Sequence, residues 1–160
     1  MENKSQRAQL VAINDLTEEV LCQYAEAIES NNIRVEKDLP ELAADVYPRF
    51  IHSAVAQLIE NAIGSMPNGG DLNVTLIEGD SCWELEIADS VNENRTVKQT
   101  TKETTPALPK IDALANRCKL EIARRAAVVH GGQIQTWDCP QGGTANVLVI
   151  PRRQESHKSA

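Results

Sequence analysis

The sequence predicts an α/β protein of two layers, in which a mixed and mostly antiparallel sheet carries helices on one face. Segments with apolar residues at helical spacing alternate along the chain with segments in which apolar and polar residues alternate singly. Their order is helix, strand, helix, hairpin, loop, helix, hairpin, which is typical of a sheet covered by helices on one side. The 160 residues, of which 41% are apolar, suit one domain with its own core.

The first elements are a helix and a strand. After a short extended lead over residues 8–14, Asp15 is predicted to cap the first helix, because its side chain can accept a hydrogen bond from a free backbone N–H group. An apolar stripe continues this helix to about 31–32. Residues 33–37 alternate apolar and polar and predict a strand with one covered face. Residues 38–48 are read as a proline-bounded connection.

A second helix is predicted over about residues 49–65, and Pro67 prevents its continuation. The residues expected to face inwards are Phe50, Ile51, Ala54, Val55, Leu58, Ile59 and Ala62. Residues 72–78 and 82–89 then alternate apolar and polar on either side of Gly79-Asp80, so we expect a tight antiparallel hairpin.

The chain is expected to form one domain over residues 1–153, followed by a polar tail at 154–160. Within the domain, residues 90–110 are rich in Thr, Lys, Glu, Asn and Pro and have almost no apolar side chains. Such a segment cannot bury enough surface to order itself, so it is expected to be a long mobile loop in the lid region of the domain.

The last elements are a helix and a hairpin. A helix is predicted over residues 111–130, and Gly131-Gly132 should end it. Its inward stripe is expected to be Ile111, Leu114, Ala115, Cys118, Ile122, Ala126 and Val129. Residues 133–138 and 144–150 should close the domain as an antiparallel hairpin.

The composition argues against several classes of partner. The net charge of −7 disfavours a nucleic-acid backbone or an anionic membrane. Aromatic residues are only 3% of the chain, so stacking platforms for bases are not expected. No stretch reaches the roughly 20 apolar residues of a membrane span, so we expect a soluble, cytoplasmic protein. Four cysteines without a C-x-x-C pair are expected to be reduced thiols: Cys22, Cys82, Cys118 and Cys139.

A set of short motifs occurs in a fixed order along the chain. They are E-N-A at 60–62, P-N-G-G at 67–70, A-D at 88–89, R-R-A-A-V-V-H-G-G-Q-I at 124–134, G-G-T at 142–144 and I-P at 150–151. In this order they resemble the ATP-binding domain of sensor histidine kinases. That domain has the Bergerat (GHKL) fold shared with gyrase, chaperone and mismatch-repair ATPases. The resemblance covers about residues 12–151 and implies the same two-layer sandwich.

The resemblance implies four candidate nucleotide-contacting residues. Asp89 stands where the family accepts a hydrogen bond from the adenine amino group, and Thr144 stands where the family supports the same end of the base through water. Asn61 stands where the family holds the magnesium ion that bridges the phosphates. Gln57 carries an amide where the hydrolysing relatives place a Glu, and an amide cannot act as a general base. The alternative is that Asp89 simply ends a strand and Thr144 starts one.

The phosphate end departs from the family pattern. Gly64 replaces a Lys or Arg that reaches towards phosphate, and Val91 and Glu93 replace the glycines of D-x-G-x-G. Residues 115–119 read A-N-R-C-K where the family has G-x-G-x-G. Because glycine disfavours helix by about 1 kcal/mol relative to alanine, these replacements predict that the last helix extends back to about Asp112, through the place of the triphosphate.

The first functional hypothesis is a degenerate, non-catalytic kinase-type domain that binds a partner in bacterial signal transduction. The partner would be a response regulator, a kinase or a sigma-factor regulator, ATP binding would be weak or absent, and no cofactor would be required. None of His52, His130 and His157 lies in a helical hairpin suited to a phosphate acceptor. The alternative is a functional domain that binds ATP or ADP with magnesium and phosphorylates a partner protein. A third hypothesis is a sensor of a small purine ligand without a triphosphate. The missing glycines favour the first.

Overall fold

The computed structural model describes residues 7–90, 120–139 and 142–153 of the chain. The helices and strands in these ranges are β1 (Gln9–Ala12), α1 (Ile13–Gln23), α2 (Ala25–Ser30), β2 (Ile33–Asp38), β3 (Ala43–Val46), α3 (Pro48–Gly64), β4 (Gly70–Glu78), β5 (Cys82–Ser90), β6 (Gln133–Asp138) and β7 (Thr144–Pro151). Residues 120–129 are also helical and are called α4 here.

The main sheet has five strands in the order β2-β4-β5-β7-β6. β2 pairs with β4 in parallel, and the other three pairs are antiparallel. Along β5, buried and half-buried residues alternate, so one face of the sheet is covered and the other is open. These features confirm the predicted sandwich with a mixed, mostly antiparallel sheet.

The core lies between the covered face of the sheet and α3. Trp83, Leu85 and Ile87 of β5 are fully or almost fully buried. The α3 residues Ile51, Ala54, Val55, Leu58, Ile59 and Ala62 are also buried. Burying a large aliphatic or aromatic side chain contributes roughly 1.5–3 kcal/mol, so this contact supplies much of the stability of the domain. The predicted inward stripe of α3 is confirmed for these residues.

Three apolar residues that were expected to face inwards are instead exposed. Phe50 is 46% exposed, Ile122 is 50% exposed and Val129 is 46% exposed. Phe50 lies at the margin of its apolar stripe. On α4 the buried residues are Ala123, Ala126 and Ala127, so the covered face is turned by about 100° from the predicted stripe. Ala126 lies where the two faces overlap and is buried as predicted.

A small second sheet was not predicted. β1 pairs antiparallel with β3, so the expected extended lead and the expected connection at 38–48 each contain a short strand. Each strand has only four residues. β1 does not alternate, and β3 alternates between exposed and more covered side chains over these four positions alone. A pattern this short does not identify a strand in the sequence.

The first helix differs from the prediction at both its start and its middle. α1 begins at Ile13, and Asp15 lies inside its first turn without capping it. The helix is also interrupted at Tyr24, which separates α1 from α2. An acidic side chain in the first turn still interacts favourably with the helix dipole, so Asp15 stabilises the helix start in a different way. The chain leaves α2 through Asn32 at a φ of 54°, close to the predicted end.

The predicted glycine stop after α4 is confirmed. Gly131 has a φ of 71° and donates its N–H to the Val128 carbonyl, while Gly132 donates to Ala127. This pair of bonds satisfies carbonyl groups at the end of a helix and requires a left-handed residue at the first glycine. The predictions for the loop beyond Ser90 and for a helix beginning near Asp112 lie outside the described residues, whereas Ser90 itself belongs to β5.

His130 joins the end of α4 to the start of α3. Its Nε2 atom accepts the Tyr47 backbone N–H at 2.9 Å, and its Nδ1 atom lies 2.6 Å from the Ala126 carbonyl oxygen. Because Nε2 accepts, the ring proton is on Nδ1 and is donated to Ala126. The ring also packs edge-on against the Tyr47 ring, with centroids 5.4 Å apart. The neutral form of His130 therefore fits this position.

We expect His130→Ala to lower the free energy of unfolding by about 2 kcal/mol, because it removes two hydrogen bonds and leaves the Tyr47 N–H without its acceptor. Urea denaturation measures this change. The control is His52→Ala, since His52 lies on α3 and, among the described residues, its ring makes one hydrogen-bond contact, to Gln23 Nε2 at 3.4 Å. Its expected effect is within about 0.5 kcal/mol. Equal losses in the two variants would show that the bridge contributes nothing.

Candidate nucleotide-type site

The last inward-facing residue of β5 is an acid, Asp89. Asp89 is the next inward residue after Trp83, Leu85 and Ile87 on β5, and only 3% of it is exposed. Acidic side chains are seldom this buried without a partner. The position of Asp89 on the covered face is therefore a candidate site for a ligand that donates hydrogen bonds.

Only one oxygen of Asp89 has a protein partner. Oδ1 accepts the Thr144 backbone N–H at 3.2 Å, whereas the buried Oδ2 has no hydrogen-bond partner among the described residues. Burial raises the pKa of the Asp89 carboxyl, and the bond from Thr144 lowers it by a smaller amount. A ligand N–H group at Oδ2 would satisfy the remaining oxygen. The structure thus brings two predicted site residues, Asp89 and Thr144, into direct contact.

The G-G-T turn fixes the position of Thr144. Gly142 and Gly143 have φ values of 90° and 94°, in a region that L side chains rarely adopt. A Cβ atom on Gly143 would lie 1.9 Å from the Asp89 carbonyl oxygen, so the turn packs directly on the end of β5. Glycine is required at 143 for this close approach.

The P-N-G-G turn packs on the same strand end. A Cβ atom on Gly70 would lie 2.4 Å from the Ser90 carbonyl oxygen and 2.6 Å from the sulfur of Met66. The two glycine turns therefore approach consecutive residues of β5, Asp89 and Ser90. Motifs that are more than seventy positions apart in sequence thus meet at one end of the central strand, β5, as the resemblance implies.

The other predicted residues lie on α3. Asn61 is 9% exposed, and Gln57 is half-buried one turn earlier, with its Oε1 atom buried and without a hydrogen-bond partner. Gly64 is exposed near the end of the helix. Helical spacing places Gln57, Asn61 and Gly64 on one flank of α3. No hydrogen bond or ion pair of the described residues joins this flank to Asp89.

A metal ion would find few ligands in the described ranges. No group of three or more His, Cys, Asp or Glu side chains is suitably placed there. Asn61 supplies one amide oxygen and Gln57 another, and both are oxygen donors of the kind that magnesium accepts. Neutral amides alone offer no charge to hold the ion, so the α3 flank fits magnesium only if a bound phosphate completes the site.

One polar residue of this region was missed in the sequence. Asn146 on β7 is 1% exposed and lies directly opposite Ile87, and its Oδ1 atom accepts the Thr136 hydroxyl at 2.9 Å. Because successive side chains of a strand point to opposite faces, Asn146 lies on the same face as Leu148 and Ile150. A polar residue at this inward position could have been recognised in the sequence as a second polar group on the covered face near Asp89.

We expect Asp89→Asn to stabilise the free protein by about 1 kcal/mol near neutral pH, because it removes a buried charge with an unsatisfied oxygen. The raised pKa means that the folded state holds this proton more tightly than the unfolded state. The wild-type protein therefore loses stability as the pH rises through the pKa of Asp89 in the folded state. The stability advantage of the variant becomes smaller as the pH falls towards 3.8, the ordinary pKa of an aspartic acid. Urea denaturation at several pH values measures both effects.

The control for this prediction is Asp138→Asn, which removes an exposed carboxyl from β6 directly opposite Thr144. Its expected effect is within about 0.5 kcal/mol at every pH. A destabilising effect of Asp89→Asn near neutral pH would show that the carboxylate stabilises the empty site.

We expect Gly143→Ala to cost about 2 kcal/mol more than Gly142→Ala, because only the former forces the Asp89 backbone to move. Both substitutions place a side chain at positive φ, which costs about 1–2 kcal/mol, but a Cβ on Gly142 meets no atom within 4 Å. Denaturant unfolding compares the two. Similar losses would mean that the turn does not rest on β5.

Comparison with known proteins identifies relatives among the sensor kinases. No family model matches the chain. The adaptive-response sensory kinase SasA of Synechococcus sp. (strain CC9311) is 30% identical over 123 residues, which are 73% of this chain and 31% of that protein. The sensor-like histidine kinase SenX3 of Mycolicibacterium smegmatis is 24% identical over 158 residues, 92% of this chain and 40% of that protein. The chain thus spans about a third of the length of these relatives.

Solved structures show the same fold. The nucleotide-free catalytic domain of histidine kinase ThkA has a TM-score of 0.71 at 20% identity, covering 92% of this chain and 99% of that chain. ThkA in complex with the response regulator TrrA has a TM-score of 0.67 at 20% identity, covering 91% and 42%. The ATP-binding domain of PrrB from Mycobacterium tuberculosis has a TM-score of 0.64 at 18% identity, covering 92% and 98%. The chain therefore has the fold of histidine kinase catalytic domains.

Proposed function

We propose that the chain acts as a non-catalytic, partner-binding module of bacterial two-component signalling, with weak or absent ATP binding. The observation that carries this proposal is the flank of α3, which presents Gln57, Asn61 and Gly64. Hydrolysis needs a general base, and the amide of Gln57 cannot accept a proton in that role. Phosphate binding is strengthened by a cation, and Gly64 offers no side chain. The histidine kinase frame is therefore combined with a flank that is poor in catalytic groups.

The proposed partner is a signalling protein. The similar kinase ThkA has been solved with the response regulator TrrA, which makes a response regulator the first candidate for this chain. A kinase or a sigma-factor regulator would be recognised by the same kind of protein surface. The net charge of −7 disfavours nucleic acid as the partner. No helix in the described ranges is long and apolar enough to cross a membrane. We propose a cytoplasmic location on this basis.

A second candidate function is an active domain that binds ATP or ADP with magnesium and phosphorylates a partner protein. It is favoured by the unsatisfied Oδ2 of Asp89, which is buried and ready to accept a hydrogen bond. In this function Asp89 and Thr144 would hold the base, and Asn61 with Gln57 would supply oxygen ligands to the metal. The same oxygen would equally suit a purine ligand without phosphates.

We expect calorimetric titration with ATP and magnesium to show no saturable binding tighter than about 1 mM, because the α3 flank lacks a charged partner for phosphate. Incubation with labelled ATP and a response regulator should transfer no phosphate. The protein used is the full chain, and adenosine is titrated in parallel.

Two other results of these experiments would each support a different function. Micromolar ATP affinity that Asp89→Asn abolishes and Asp138→Asn preserves would replace the proposal with the kinase function. Saturable binding of adenosine with no gain from the triphosphate would select the purine sensor. Neither result depends on which partner the chain binds.

A further inference from the structure

The sheet face turned away from the helices carries an unusual set of side chains. On β5 this face presents Glu84, Glu86 and Ala88, which alternate with the buried core residues. Directly opposite them on β7 are Val149, Val147 and Ala145, and the next strand, β6, places Gln133, Gln135 and Trp137 in the same rows. Directly opposite residues of antiparallel strands share one face, so these nine side chains form a continuous surface. We call it the open face.

The half of the open face on β7 and β6 carries four apolar side chains and two glutamines and is called the apolar half. Trp137 is 58% exposed, although Trp83, the other tryptophan, is almost completely buried. Trp137 lies opposite Ala145, which lies opposite Ala88, so two methyl groups stand beside a large indole ring. Ala145 and Val147 are only 6% and 5% exposed, so their neighbours cover the small side chains of β7, and the indole of Trp137 is the apolar group that a partner could contact. Exposed tryptophans next to small apolar side chains are typical of protein interfaces.

The other half of the open face is acidic. The strands β2, β4 and β5 place five carboxylates on it, against one guanidinium, that of Arg34. The carboxylates belong to Glu36, Asp38, Asp71, Glu84 and Glu86. Arg34 contacts Glu36 and approaches Asp71 at 4.0 Å, so the one cation is already shared by two acids.

Glu84 and Glu86 are the acids nearest the apolar half. They are two residues apart on the central strand, so their carboxylates lie on the same face at about 7 Å. No ion pair in the described ranges involves either residue, and both are half-buried among neighbouring strands. Like charges held side by side are destabilising, and a positive group placed against them would offset that cost.

We propose that the open face is the docking surface of the module, and that its occupant is an extended, basic and apolar segment of a partner protein. Two Lys or Arg side chains at positions i and i+2 of that segment would match the spacing of Glu84 and Glu86. An apolar side chain of the same segment would pack on the exposed indole ring of Trp137. This inference rests on the proposed partner-binding function and assigns it to the face of the sheet opposite the nucleotide-type site.

The test uses three synthetic peptides of roughly 12 residues, long enough to cross the sheet at about 3.3 Å per residue. The first alternates Lys with Leu, the second replaces Leu by Ser at the same charge, and the third replaces Lys by Glu. Binding to the full chain is followed by amide chemical shifts. Acrylamide quenching of tryptophan fluorescence reports Trp137, because Trp83 is buried. We expect only the first peptide to bind, with shifts centred on β5, β7 and β6, and to protect Trp137.

Two variants and a matched control separate specific docking from bulk charge. Glu84→Gln with Glu86→Gln, and separately Trp137→Ser, should each weaken binding by at least about fivefold, the effect of losing about 1 kcal/mol. Glu26→Gln with Glu29→Gln removes the same charge from α2, where both residues are exposed, and should change the affinity less than about twofold. Circular dichroism and the melting temperature check that each variant is folded.

Several outcomes would overturn the inference. Equal weakening by the two double variants would show that the peptide responds to net charge alone. Shifts confined to another surface, self-association of the chain through Trp137, or a Trp137 that acrylamide cannot reach in the free protein would exclude this occupant. None of these outcomes concerns ATP, whereas the proposed non-catalytic function fails only if the chain binds ATP tightly or transfers phosphate.

Discussion

The buried carboxylate of Asp89 is the constraint on which the arrangement of the site depends. It ends a column of apolar side chains on the central strand, where an acid is unfavourable, and Thr144 satisfies only one of its oxygens. Two glycine turns must approach the same strand end closely for this to happen. The cost of holding Asp89 there is offset by the large core between β5 and α3. A stable sandwich thus carries an unsatisfied hydrogen-bond acceptor.

The two ends of the site follow different physical requirements. The Asp89 end depends on backbone geometry, because one N–H group and two glycines position the carboxylate. The α3 end depends on side-chain identity alone, since the helix forms whichever residues occupy its flank. Gln57 and Gly64 lie outside the buried stripe of α3, so the packing of the helix does not depend on which side chains occupy these positions. The fold therefore places few restrictions on the chemistry of this flank.

The strongest periodic patterns predicted their elements well. α3 and both hairpins are long and regular, and the structure confirms them. The pairing of β1 with β3 could not be predicted, because it joins two short segments through hydrogen bonds that leave no local pattern. Phe50 was misplaced because it lies at the margin of its stripe, and Ile122 was misplaced because α4 buries the small residues Ala123, Ala126 and Ala127 instead of its larger apolar side chains. The bridge from His130 to Tyr47 spans 83 positions, and no feature near either residue indicates it.

The candidate site was only partly accessible to sequence reasoning. Alternation along β5 already places Asp89 among the inward residues, so its burial is a physical expectation, but its proposed ligand came from the resemblance. Asn146 obeys the same alternation on the neighbouring strand and was overlooked. The hydrogen bond between Asp89 and Thr144 depends on the geometry of the Gly142-Gly143 turn, which composition alone does not specify.

The joint at His130 has a mechanical consequence for the helix that precedes it. One hydrogen bond and a ring contact join His130, at the end of α4, to Tyr47, directly before α3, and a second hydrogen bond within α4 orients the imidazole ring. The described part of α4 has ten residues and is therefore about 15 Å long. Any displacement of α4 that preserves the joint must be a rotation about its His130 end. The largest displacement then falls at Leu120, and such a rotation would have to break the packing of Ala123, Ala126 and Ala127 in the core.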